Sequence, residues 1–379
     1  MKKILFLVYH GFAADSGISK KIADQVKGLR QNGHEVHLCC YDFDARGHHC
    51  RMVDGQVISD CGTGVLAGIR QRTCYGSIWR YCLQHHVQLV YARCFQNASP
   101  WLIRLFSRLR QAGIKAVTEI PTYPYDTEFK HFPLKERIDL KMDQLFRERL
   151  YRQMDAVVTF TGATRIFGQR TINISNGVDF ERHPVLRFRP VDDAVHLIGV
   201  AEVHYWHGYD RMIKGLGAYY EGAKAEGTKH REIFFHIVGG MGTHGEELRR
   251  LAEQCGVARH VVFHGKLFGD ELTNVFNQCR LAVGSLGRHR SGITDIKTLK
   301  NREYATRGIP FIYSEQDSDF DGQPYVMKIA ADESPVPMAD VLQFMDNCSM
   351  KPDDIRSTVS HLAWKVQMQR VVEQVFGQS

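Results

Sequence analysis

The sequence predicts an α/β protein of two doubly wound, Rossmann-like domains facing a shared cleft. Three observations carry that prediction. Short apolar runs alternate with amphipathic stretches along almost all of the 379 residues. The alternation stops in a polar stretch ending at Asp193 and then starts again. The length suits two domains, each able to bury a core of its own. Hydrophobic residues at 44% and charged residues at 24% are ordinary globular values, which argues against a disordered or fibrous chain.

The first domain, residues 1–175, opens with a strand at 3–9, a glycine-bearing loop at 11–17 and a helix at 18–31. The opening MKKILFLVYHG has the lysines and short apolar run of a signal peptide. It leads into a Gly/Ser loop without a small-x-small cleavage site, so a core strand is the better reading. Asn32-Gly33 stops the helix, and 35–41 is the next strand. Further strands are expected at 87–91, 115–119 and 155–160, with helices at 101–111 and 134–154. Strands spaced by helices in this way form parallel βαβ units.

The turn Asn176-Gly177-Val178-Asp179 begins a linker over 176–193. The second domain, 194–354, has strands at 196–201, 233–238, 260–263, 281–283 and 311–313. A helix over 355–376 closes the chain, within a segment (355–379) that could cross back to the first domain. No apolar run approaches the roughly 20 residues needed to span a bilayer. The ten cysteines show neither a CxxC pair nor Cys/His zinc spacing, so reduced core thiols are expected.

Chemistry concentrates in SGITDIKTLKNREYATRGIPFIYS, where Asp295 and Glu303 lie eight positions apart. Residues 298–307 read as a short helix, Gly308 as its left-handed terminator and Pro310 as a stop before a buried strand. Eight residues are a little over two helical turns, so both carboxylates can line one side of an element and hold the two ends of an extended ligand. The N-terminus of the helix offers unpaired N–H groups to an anion. Taken alone, the spacing also fits an ordinary helix with acids on its wet face.

The pattern acid-x7-Glu followed by x-A-x-x-G-x-P resembles the signature of the retaining GT-B glycosyltransferases of family 4. That resemblance implies a donor-sugar role for Asp295, a ribose role for Glu303 and a diphosphate lying along the peptide between them. The first acid is more often Glu, so Asp295 is a shorter variant. Other matches lie along the chain. The run from Gly11 to Leu38 is similar to the family's glycine loop, first helix and second strand, and implies that Ser16 and Gly17 lie close to the donor phosphates. Asn173 to Asp179 resembles the interdomain turn. VGGMGTHGEEL, with Gly240, is similar to a stretch where backbone approaches the nucleotide. His260 to Leu272 resembles the strand and loop beside the base.

The departures from the family pattern are specific. An Arg and a Lys-Gly usually clamp the diphosphate after the first strand of the second domain. Here the segment is AEVHYWHGYDRMIKGL, with Glu202 near the Arg position and His207 before Gly208. His207 could donate one hydrogen bond. Arg211, Lys297 and Lys300 are the other candidates for neutralising phosphate, and Lys300 is preferred because it lies between the two acids near the helix start. Glu119 begins a Pro/Tyr-rich loop (Glu119 to Asp126) and is the candidate acceptor-orienting group or base, with tyrosines that could stack on sugar rings. The alternative is a well-packed aromatic loop.

The resemblance implies transfer of a hexosyl group, with retention, from a nucleotide-sugar to a hydroxyl of a sugar or lipid-linked saccharide, in surface polysaccharide or glycoconjugate synthesis. A UDP-sugar and a GDP-sugar are not distinguished. Asp42-Phe43-Asp44 has the letters of a metal-binding triplet, but it follows a first-domain strand, where the family binds no metal; no metal and no cofactor are expected. A GT-B epimerase or phosphorylase, and a non-catalytic sugar-nucleotide binder, are the alternatives.

Charge is divided unevenly. Residues 1–175 hold 25 Lys+Arg against 15 Asp+Glu, and the rest hold 24 against 27. Within the basic half, the helix from Leu134 has Leu134, Ile138, Met142, Leu145 and Leu150 at helical spacing among Lys135, Lys141, Arg147, Arg149 and Arg152. The simpler expectation is a core-packed apolar stripe with a solvated basic face. The sharper one is a cytoplasmic protein docked peripherally on the inner, anionic face of the plasma membrane. Nucleic acid is not expected, since no binding module accompanies the charge.

Overall fold

The computed structural model describes residues 1–12, 16–93, 97–125, 134–226 and 230–377, without the side chains of 134–136 and 223–226. Asp126 and the side chains of Leu134 and Lys135 therefore lie outside the described residues. The chain forms two compact units, Met1–Gly177 together with Ala363–Ser379, and Val178–Leu362.

In the first unit the order is β1 (Lys3–Leu7), α1 (Gly17–Gln31), β2 (Glu35–Phe43), β3 (His49–Val53), β4 (Gln56–Asp60), α2 (Gly64–Thr73), α3 (Gly76–Gln84), β5 (Leu89–Ala92), α4 (Pro100–Gln111), β6 (Lys115–Ile120), α5 (Leu134–Tyr151), β7 (Ala156–Thr159), β8 (Arg165–Ile166) and β9 (Gln169–Asn173). The strands make one nine-stranded sheet in the order β4-β3-β2-β1-β5-β6-β7-β9-β8. It is parallel from β2 to β9, with antiparallel hairpins at both edges. Asp54 and Gly55, both at positive φ, turn the β3–β4 hairpin. Asp-Gly is a strong local hairpin signal, and the expected elements had left it out. The central strands are buried on both faces, as their unbroken apolar runs require.

The second unit runs β10 (Val195–Val200), α6 (Tyr209–Glu226), β11 (Ile233–Val238), α7 (His244–Gln254), β12 (Val261–Gly265), α8 (Gly269–Gln278), β13 (Leu281–Val283), α9 (Leu299–Arg307), β14 (Phe311–Tyr313), β15 (Val326–Lys328), α10 (Met338–Asn347) and α11 (Pro352–Thr358). Its six strands are all parallel, in the order β12-β11-β10-β13-β14-β15. Connections reverse direction between β10 and β13, which makes the C-terminal ends of those two strands the topological switch point where such sheets take ligands. Across β10, β11 and β12 a hydrogen-bonded chain links Asp192 to His196, His196 to His236 and His236 to His264.

The chain then returns to the first unit. A 3-10 turn at Ser360–Leu362 separates α11 from α12 (Trp364–Phe376), so the single helix expected over 355–376 is two helices. α12 packs on α1, burying Trp364, Met368, Val371, Val372 and Val375 in a core shared with β1, β5 and β7. The fit is close. A Cβ on Gly28 of α1 would come within 2.8 Å of the Trp364 backbone, and one on Gly177 within 2.3 Å of the Trp364 ring.

Candidate functional site

The switch point is held open by a side chain. Tyr304, fully buried on α9, accepts a hydrogen bond from the Val200 N–H at 3.0 Å and donates to the Val283 carbonyl at 3.2 Å. The ends of β10 and β13 are thus tied to a phenol where their ladder stops. The loops beyond are also pinned. Leu286 N–H donates to the His207 carbonyl, and Gly208 (φ 65°) lies so close to Leu286 and Gly287 that a Cβ would meet backbone at 2.6 Å. Only glycine combines that φ with that approach.

Around this crevice gather Lys300 at the start of α9, Glu315 and Ser285 just past β14 and β13, and His207 and Arg288 from the loops. Lys300 Nζ is buried and makes no hydrogen bond, and Glu315 Oε2 and Ser285 Oγ are likewise buried and unpaired. Buried polar atoms are nearly always satisfied, so a cluster of orphans marks a place prepared for another molecule. Burial pulls the Lys300 ammonium down to about 7, with Glu315 opposing the fall and Arg288 adding to it. Burial pushes Glu315 up, against Lys300.

His207 is buried, and its Nδ1 accepts from the His204 N–H at 2.9 Å, so the ring proton sits on Nε2. Burial, and then the charges of Lys300 and Arg288, hold its pKa far below the usual imidazole range. His207 is therefore a neutral hydrogen-bond donor. Thr298, the N-cap of α9, makes no capping bond, and its hydroxyl faces Glu315 at 3.4 Å instead, so the first N–H groups of the helix carry no side-chain cap.

Glu303, on α9, is partly exposed. Its Oε1 accepts from Arg307 at 2.8 Å and pairs with His183 at 3.3 Å. Burial opposes its ionisation, yet His183 and Arg307 outweigh it and hold the carboxyl at about 2. Among the described residues its Oε2 accepts no hydrogen bond. Asp295 is exposed and lies before the helix, in an extended segment that bridges to Gln316. The two acids do not share a helical face, because α9 begins only at Leu299.

Several predicted residues have other duties. Arg211 is fully buried and donates to Ser334 O, Leu286 O and Asp332, which ties two loops together and leaves it no reach toward a phosphate. Lys297 pairs with Asp319 at 3.2 Å, beside the buried Arg302–Asp317 pair. Gly240 lies against the exposed Glu202 carboxylate, which pairs with Lys266 and could swing aside for a Cβ, so the contact does not require glycine.

In the first unit, Ser16 caps α1 by accepting from Ser19 N–H at 3.3 Å, and Gly17 has open space where a Cβ would project. Glu119 is not on an exposed loop. It is fully buried on β6, where Gln25 and Tyr91 donate to Oε2 at 2.6 Å and Lys21 and Arg93 pair with Oε1. Burial raises its pKa, but Lys21 and Arg93 dominate and bring it to about 2. A carboxylate so held is a poor base. Tyr123 and Tyr125 pack on Phe167, and Tyr125 donates to Asp143, so the loop is the well-packed aromatic one. Asp44, His48 and Asp60 bring possible metal ligands within 4.8 Å, but Arg46 already bridges the two acids.

Glu315 and Ser285 were missed because they lie in no motif. The available signal was a glutamate two residues past an apolar strand.

Residues 16–166 match the model of the glycosyl transferase 4-like domain. No curated protein matches the sequence. Solved structures match in fold over the full length. Sucrose-phosphate synthase from Thermosynechococcus elongatus aligns with TM-score 0.63 at 13% identity, covering all of both chains. HepE from Anabaena, in complex with UDP and glucose, aligns with TM-score 0.59 at 14% identity, again covering all of both chains. The lipopolysaccharide outer core galactosyltransferase WaaB gives 0.61 at 12% identity with the same coverage. The chain thus carries a glycosyl transferase 4-like domain over residues 16–166 and shares the two-domain GT-B fold of these structures over its whole length.

Proposed function

We propose that the protein transfers a sugar, with retention, from a nucleotide-sugar to the hydroxyl of a sugar or lipid-linked saccharide. The observation that carries this reading is the cluster of unpaired buried groups at the switch point: Lys300 Nζ, Glu315 Oε2 and Ser285 Oγ beside the uncapped start of α9. A diphosphate satisfies the donors among them, Lys300 Nζ and the Ser285 hydroxyl. Its charge meets Lys300 and the helix N–H groups, while His207 Nε2–H supplies a neutral donor. Glu303 Oε2 takes the ribose hydroxyls, and exposed Asp295 takes the sugar. UDP and GDP both suit these contacts.

In the reaction the bond from the anomeric carbon to the phosphate oxygen breaks, and its electron pair stays on the diphosphate. The acceptor oxygen forms the new bond on the same face and gives up its proton to the departing diphosphate oxygen. Charge grows on the departing phosphate, where Lys300 and the α9 dipole stabilise it without a metal. The setting is cytoplasmic surface-glycan synthesis, at the inner face of the plasma membrane.

The test is a thermal-shift screen of UDP- and GDP-sugars, followed by product analysis with a labelled donor. Stabilisation by one donor and a retained anomeric configuration in an acceptor-dependent, EDTA-indifferent product are expected. Turnover without acceptor would make the protein an epimerase. A requirement for orthophosphate would make it a phosphorylase. Binding without turnover over a broad acceptor panel would leave a binding protein.

A further inference from the structure

Neighbouring helices of the first unit turn apolar side chains outward. On α2, Val65 is 83% exposed and Leu66 65%, with Ile69 one turn further on, and Arg70 and Arg72 close by. Among the described side chains of α5, the expected apolar stripe enters the core at Leu150 but not along most of its length. Ile138, Met142 and Leu145 are exposed, Leu145 by 70%, while Leu140, Asp143 and Leu150 form the buried side. Residues 138, 142 and 145 share one face at helical spacing, bordered by exposed Lys141 and Arg149 and by Glu148, which pairs with Arg152.

The helices adjoin. Arg72 of α2 pairs with Asp139 of α5 at 3.2 Å, and α4 packs against both helices. α4 adds exposed Trp101, Arg104 and Arg108, which lie along one of its faces. A cavity of about 390 Å³, lined by Trp79, Trp101, Arg104 and Arg108, separates that face from the turn between α2 and α3. α2 and α4 carry no acid at all.

Soluble surfaces scatter large apolar side chains singly, so a gathered set with a basic border marks a contact surface. A nucleic acid would use the arginines and have no use for Val65 and Leu66. A lipid interface uses both, with apolar groups at the acyl boundary, an indole at headgroup depth and guanidinium groups on phosphates. We infer that the face formed by α2, α4 and α5 docks on an anionic bilayer, with Val65, Leu66, Ile69, Ile138, Met142 and Leu145 entering the lipid. The surface stands independently of the glycosyl-transfer reading, and only its purpose, bringing the enzyme to a lipid-linked acceptor, rests on that reading.

The test is cosedimentation of the full chain with phosphatidylcholine vesicles, with and without 30% phosphatidylglycerol, in the absence of donor and acceptor. Binding is expected only to the anionic vesicles, weakening as salt rises. Arg70→Gln and Arg72→Gln should each weaken it about fivefold, on the scale of one cation near a charged leaflet. The triple change of Val65, Leu66 and Ile69 to Ser should release the protein, and unchanged thermal stability shows that it still folds. A blue shift of tryptophan emission on vesicle addition should vanish in Trp101→Phe. Equal binding to neutral vesicles, or none to anionic ones, overturns the proposal. So does a concentration-dependent dimer that the triple variant abolishes, which would give the face to a second copy. Loss of glycosyl transfer without loss of vesicle binding would count against the chemistry alone.

Discussion

If Lys300 receives the diphosphate, nucleotide affinity must fall as pH rises through neutrality. The free ammonium titrates at about 7, because burial disfavours its charge more than Glu315 restores it. A bound diphosphate requires the protonated form. The protonated fraction falls steeply between pH 7 and pH 9, so the dissociation constant should rise on the order of ten- to a hundredfold. The diphosphate contributes little to this slope, since a phosphate with a second pKa near 6 is already largely ionised above pH 7. Binding at pH 7 should also take up roughly half a proton. Titration calorimetry with UDP and with GDP, in buffers of different ionisation enthalpy, measures both quantities. Lys300→Arg, charged throughout, should flatten the profile. Glu315→Gln should move the inflection to lower pH, because it removes the charge that supports the ammonium. A flat wild-type profile from pH 7 to 9, or an unchanged inflection in Lys300→Arg, would refute the assignment.

Further outcomes are expected elsewhere. Glu303→Gln should weaken nucleotide binding by roughly ten- to a hundredfold, the scale of a hydrogen bond to a charged acceptor; unchanged affinity in calorimetry removes it from the site. Asp295→Asn should weaken binding of the intact sugar nucleotide more than that of the bare diphosphate, and equal losses would detach it from the sugar. Glu119→Gln removes the buried carboxylate that pairs with Lys21 and Arg93 and should cost about 3–5 kcal/mol in urea unfolding, with turnover of the folded fraction nearly intact. A thousandfold loss of turnover at unchanged stability would instead make Glu119 a catalytic group. His236 is held down at about 4 by burial and then by His196 and His264, against about 6.5 when unfolded. Its stabilisation is therefore complete above about pH 6.5 and is lost as pH falls toward 4, by up to about 3 kcal/mol. Urea midpoints should show this slope, and His236→Phe should reduce it.

What the sequence disclosed follows from how locally each feature is encoded. Strands such as Ile233–Val238 and Phe311–Tyr313 are apolar runs between turn residues, and they form where expected. Gly308 ends α9 in the left-handed conformation that its position implied. Asp295 misled, because a spacing of eight suggests a helical face only if the helix includes both residues. Glu119 misled for another reason. Its surroundings in sequence are polar and aromatic, whereas its partners Lys21, Gln25, Tyr91 and Arg93 arrive from elsewhere through the sheet. The same holds for Glu315, Ser285 and His207, which meet only because strands and loops distant in sequence end at one switch point. The α5 stripe showed the limit of periodicity, which finds an apolar face without saying what that face meets.

The return of α12 to α1 bears on the order in which the protein is made. Val178–Leu362 is one uninterrupted segment and can close its own core as soon as it leaves the ribosome. The first unit, begun earlier, must wait. Until Trp364 to Val375 are synthesised, the side of its sheet carrying Ile4, Phe6 and Tyr91 lacks part of its cover, and the groove at Gly28 has nothing to receive. The half translated first is therefore completed last, and in the interval its exposed strands are the part of the nascent chain most in need of a chaperone.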